Sequence, residues 1–189
     1  MGTFVHEAEL GRKYSDFVES LCEIAQSYFA KGQSSHARRM LQAALPLAEM
    51  LEAEPALLAL RLAEGKILAT EYIYTNVDAD SMLNLLHGAQ KLAEKANDPK
   101  RLADTFYWLG IAHYFVELNA SAKANGGEGS YKEAFAYHQK ALELREKWGD
   151  TRGICESLFQ IGTVYERWQQ ASQAQEYYSK AYQMADQAG

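Results

Sequence analysis

Three times along the chain one interval recurs: Ala44 to Arg61, Ala89 to Phe106 and Ala141 to Leu158 are each 17 residues apart. An interval held constant while the segments around it change length marks a packed joint between repeated units. Neighbour packing fixes a joint, whereas a surface turn accepts insertions at small entropic cost. The unit is clearest from Asp150 to Gly189. Leu158, Ile161, Gly162 and Tyr165 share one stripe of a helix by three-and-four spacing, and Ala174, Tyr178 and Ala181 share the stripe of a second. The small residues let two antiparallel helices approach, and the large ones fill the space beside the crossing.

The first-helix pattern recurs as Leu21, Ile24, Ala25, Tyr28 and as Phe106, Leu109, Gly110, His113. The second recurs as Ala37, Leu41, Ala44, as Met82, Leu86, Ala89 and as Ala134, His138, Ala141. One first helix, anchored on Gly65, reads Arg61, Glu64, Gly65, Leu68, with two charges where the pattern is otherwise apolar. Within a pair, 16 residues separate Leu21 from Ala37 and Leu158 from Ala174, but 21 separate Arg61 from Met82 and 28 separate Phe106 from Ala134. Pairs two and three have therefore gained residues between their helices. The uninterrupted period is 40 residues.

Over residues 15–189 this pattern resembles the tetratricopeptide repeat, in its longer, 40-residue class. The resemblance implies an all-α fold: a right-handed superhelical stack of about four antiparallel helix pairs, an α-solenoid. The pairs are expected at about 15–53, 54–97, 98–149 and 150–189, after an N-terminal segment 1–14. A flexible, glycine-rich insertion is expected at 119–130. Ser15, Ser34 or Ser35, Asp80 or Ser81, Asp98, Ser130 and Asp150 are the expected helix caps, with the last helix starting near Ala171. Pro46 is expected to kink the second helix or end its regular part.

Composition narrows the function. A net charge of −6 and a pI near 5.4 argue against nucleic acid or an anionic membrane as the main partner. Cys22 and Cys155 have no metal-ligand spacing and fit a reduced compartment. Residues 1–13 do not read as a secretory signal, and no run reaches membrane-span length, so a cytoplasmic location is expected. No nucleophile elbow, phosphate-binding glycine loop or paired zinc motif occurs, which predicts no catalysis, no cofactor and no metal. His113 and His138 fall on facing stripes of pair three. Contact between them is expected, and protonation near pH 6 would then loosen the pair.

In the family that the chain resembles, successive first helices line a concave groove. Carried onto this sequence, the peptide-binding positions are Phe29, Leu62, Lys66, Tyr107, Trp108, Ile111, Tyr114, Phe115, Phe159, Thr163, Glu166 and Arg167, with Cys22, Gln26 and Ala69 in the same rows. The fifth helix carries more aromatics than one buried stripe needs, which marks either a contact surface or packing against neighbouring helices. The leading expectation is a protein–protein interaction scaffold that binds an apolar or amphipathic peptide or helix. The alternative is a peptide-sensing or regulatory fragment of a larger signalling or transcription-regulating protein. Tyr177, Tyr178, Tyr182 and Met184 on the last helix predict self-association, through that helix or through the groove.

Overall fold

The computed structural model describes residues 2–75, 78–123 and 129–188, with side chains from 9 to 187 in those spans. It contains α1 (Gly2–Ala30), α2 (Ser34–Met50), α3 (Glu54–Thr75), α4 (Ala79–Lys95), α5 (Pro99–Lys123), α6 (Lys132–Trp148), α7 (Thr151–Arg167) and α8 (Ala171–Ala188). No strand occurs among the described residues, and the chain is an all-α helical repeat. Contacts divide it into two compact units. The first is 1–71 with 80–97, and the second is 72–79 with 98–189.

Each unit is built on the same crossing. The pattern glycine of a first helix faces a large residue of the second: a Cβ at Gly65 would come within 2.7 Å of Leu86, at Gly110 within 2.5 Å of His138, and at Gly162 within 2.7 Å of Tyr178. Leu86, His138 and Tyr178 hold the same register position, so the small-against-large rule is one contact made three times. In the first unit, Val18 and Ala25 of α1 pack with Ala37, Leu41 and Ala48 of α2 and with Leu60 and Ile67 of α3. The Tyr14 hydroxyl donates to the Ala44 carbonyl at 2.6 Å. The two charges of the aberrant first helix have partners. Glu64 is buried, accepts from the Gln42 amide and pairs with Arg38 at 3.6 Å, both from α2, so an ion pair replaces an apolar contact at this joint. Arg61 lies over Gly88.

In the second unit α7 packs on α6. Leu142 meets the Ile154 and Leu158 cluster, Phe135 meets Tyr165 and Trp168, and Val164 joins Tyr131 and Ala134. Arg145 locks the joint. This buried side chain donates to the Gly153 carbonyl at 2.9 Å, to Ser157 Oγ at 3.0 Å and to Asp104 at 2.9 Å, and it lies 4.8 Å from the centre of the Tyr107 ring. The backbone N–H of Asp150 closes the α6 end by donating to the Arg145 carbonyl past Gly149, whose φ of 71° a side chain would resist.

Several sequence expectations are corrected. The α1 helix runs unbroken through Ser15, which donates to the Gly11 carbonyl at 3.0 Å and caps nothing. Gln33 stands at the α2 N-cap without a side-chain bond, and α2 continues past Pro46 to Met50. The α4 helix starts at Ala79, so Asp80 and Ser81 lie within it. Asp98 and Asp150 do cap, each accepting at 3.0 Å from a backbone N–H three residues on. The residues gained in pairs two and three partly extend the first helices. The α3 helix has 22 residues and α5 has 25, against 17 for α7.

Asn119–Lys123 is therefore helical, as its alanines and lysine favour, while residues 124–128 of the expected insertion lie outside the described residues. A Cβ at Gly129 would come within 3 Å of Tyr131, Ser121 and Glu117 atoms, and the Ser130 N–H donates to Glu117. The α6 N-cap is Tyr131 rather than Ser130. Its φ of 50° is held by burial of its ring against Tyr114.

Candidate interaction surface

The fractional exposure of each expected groove residue sorts the set. In the first unit, Leu62 is buried at 6%, while Phe29 and Lys66 are half-buried, Phe29 against the α1–α2 core. In the second, Ile111 and Tyr114 are buried at 7% and 5%. Leu62, Ile111 and Tyr114 are thus packing residues and offer no side-chain surface to a partner. Tyr107, Trp108, Phe115 and Thr163 are half-buried, and Phe159, Glu166 and Arg167 are exposed.

The structure joins these residues into two groups within the second unit. On α5, Tyr107 and Trp108 meet edge to face at 5.7 Å, and Tyr114 and Phe115 do so at 5.1 Å. The Arg167 Nε donates to the Tyr114 hydroxyl at 2.7 Å, and this hydrogen bond raises the guanidinium pKa above its ordinary value. Burial, then the Glu156 carboxylate, raises the Tyr107 pKa, so its phenol stays a neutral donor.

On α7, Phe159, Thr163 and Glu166 gather around α8's Tyr178, 5.2 Å from the Phe159 ring, whose hydroxyl donates to Glu166 at 2.9 Å. Glu166 and Tyr178 also line a concavity of about 510 Å³ together with Ala171, Ala174, Gln175 and Tyr182 of α8. A second concavity of about 390 Å³ is lined by Gly129, Lys132, Arg167, Trp168 and Gln170. There the Trp168 indole donates to the Ser130 carbonyl at 2.9 Å.

The two histidines of pair three each pack on a tyrosine ring. His113 stacks on Tyr137 at 5.3 Å, and His138 meets the Tyr107 edge at 5.6 Å. Burial first, and then Arg145, pushes the His138 pKa down to about 3. His138 therefore stays neutral in the folded protein near pH 6. Neither His138 ring nitrogen has a hydrogen-bond partner among the described residues. No cluster of three or more metal-ligating side chains occurs among the described residues, and no described helix is long and apolar enough to cross a membrane.

The sequence reading missed the exposed stripe on α1, formed by Leu10, Phe17, Ile24 and Tyr28, and the buried Arg145. The stripe had a signal in the sequence, because Leu21, Ile24 and Tyr28 were already in register with Leu158, Ile161 and Tyr165. Arg145 had none, since its Asp104 partner is 41 residues away.

No curated protein matches the chain. A family model described as tetratricopeptide repeat matches residues 117–187, from the last turns of α5 through α8. That fold commonly serves as a protein–protein interaction scaffold. With the helix pairs, their crossings and this match together, residues 117–187 belong to the tetratricopeptide repeat family.

Proposed function

We propose that the protein is a cytoplasmic interaction scaffold that takes an apolar or amphipathic peptide from another protein along the aromatic face of α5. One observation carries the reading: Phe106 and Tyr114 are buried, whereas Tyr107, Trp108 and Phe115 keep part of their rings in solvent. A helix that buries its packing stripe and still presents further aromatic rings offers large contact area at little rotamer cost. Arg167, exposed beside Tyr114, favours a peptide with an acidic group next to its apolar residues.

The test is affinity capture from the source organism's lysate with the native protein and with a Trp108→Ala, Phe115→Ala variant whose helicity by circular dichroism is unchanged. Tyr107 is left alone because its ring packs on Arg145 and His138. Proteins held by the native form and lost from the variant support the reading; the same proteins on both sink it. Arg167→Ala, measured on a captured partner, should weaken binding more at low salt than at high salt.

A further inference from the structure

The α6–α7 joint is a template for a contact whose two halves both stand exposed elsewhere in the molecule. In repeat register, Ile154, Leu158, Ile161 and Tyr165 of α7 correspond to Phe17, Leu21, Ile24 and Tyr28 of α1. The sequence character is the same and the surroundings are opposite. Ile154 and Ile161 are 6% and 0% exposed, whereas Phe17 and Ile24 are 56% and 48% exposed. Leu10 extends the exposed stripe seven residues further.

The receiving half has its counterpart too. The α6 N-cap Tyr131 and Ala134, Phe135 and Leu142 of α6, which hold α7, correspond to Ala171, Ala174, Gln175 and Tyr182 of α8. Those four line the 510 Å³ concavity, and Tyr182 is 73% exposed. Tyr114, whose hydroxyl holds Arg167, corresponds to Glu166 at the same edge.

We infer that the protein binds a second copy of itself head to tail, the α1 stripe of Phe17, Leu21, Ile24 and Tyr28 of one copy seating in the α7–α8 concavity of the next. The contact continues in register a joint that the second unit already makes internally, and both of its faces are encoded in this one chain. It joins two different patches, so it is heterologous rather than two-fold symmetric. The contact is weaker than the internal joint, for reasons visible in the residues. Gln175 stands for Phe135, Glu166 stands for Tyr114, and Ala185 stands where Arg145 locks α7. A reversible association follows, in the micromolar range or weaker.

The test uses two variants of the full chain, each altered only at exposed positions: Phe17→Glu with Ile24→Glu, and Ala171→Glu with Tyr182→Glu. Circular dichroism first checks that both keep the native helicity. Sedimentation equilibrium from about 1 μM to about 500 μM should show the native protein self-associating and each variant alone raising the dissociation constant tenfold or more. Mixed together, the two variants should recover a one-to-one complex at native affinity, because each retains the half that the other has lost. A native protein that stays monomeric throughout overturns the inference. So does association untouched by the α1 substitutions, which would mean that α8 pairs with α8, and so does a mixture that fails to recover the complex.

Discussion

The α7 and α1 helices carry the same stripe of large residues, and only one of them buries it. Ile154 and Leu158 lie against Leu142, and Tyr165 lies against Phe135, all inside the second unit, while Phe17, Ile24 and Tyr28 face solvent. The difference lies in the packed α6 neighbour that covers α7 and not in the helix itself. A repeat residue specifies the neighbour that it expects, and a packed neighbour supplies the rest of its energy. Where a neighbour is in place, the joint has also acquired features that the exposed ends lack: a buried Arg145 with three hydrogen-bonded partners, and a histidine with no solvent.

The largest expected effect is at that lock. Arg145→Met should cost about 3 kcal/mol in urea unfolding, because it strips partners from the buried Ser157 hydroxyl, the Gly153 carbonyl and Asp104. At the exposed end, Lys180→Met removes a surface pair with Glu176 and an exposed contact of the ammonium with the Tyr177 ring, and should move the midpoint little. Equal losses from the two changes would erase the contrast.

The pH dependence sharpens it. His138 is neutral in the folded state down to about pH 3, while in the unfolded chain it takes a proton near 6.5. Its contribution is thus intact above pH 6.5 and lost progressively as pH falls toward 3, about 1.4 kcal/mol of it by pH 5.5. In His138→Leu, which copies Leu41 and Leu86 at the same register position, this part of the slope should vanish between pH 7.5 and 5.5. A variant with the native slope would contradict the assignment.

A smaller effect is expected at the crossings. Gly110→Ala drives a methyl into the buried His138 ring, and overpacking of about 1–3 kcal/mol should exceed the roughly 1 kcal/mol gained in helix propensity. Gly162→Ala meets Tyr178, which borders the open concavity and has room to yield, so thermal unfolding should show little loss or a slight gain. Opposite ordering of the two Tm shifts would mean that the last pair is packed as tightly as the third.

Much of the fold was legible because it rests on local spacing. Gly162 and Tyr178 announce a crossing from positions in two neighbouring stripes, and Asp150 announces a cap three residues from its donor. Ser15 misled because a serine inside a helix bonds the carbonyl four residues back as readily as it caps. The candidate site was harder to read. Spacing gives the face on which Leu62, Ile111 and Tyr114 lie, but burial depends on distant segments, and all three turn out to be covered. The ion pairs of Glu64 with Arg38 and of Arg145 with Asp104 likewise join residues far apart in the chain, and no local pattern encodes them.

Hydrogen exchange at rising protein concentration tests the central claim most directly, that the two exposed ends are halves of one more joint. Protection should increase at Phe17–Tyr28 of α1 and at Ala171–Met184 of α8, while the already seated α7 stripe from Ile154 to Tyr165 changes little. Protection that ignores concentration at both ends, or rises at one of them alone, would contradict the account.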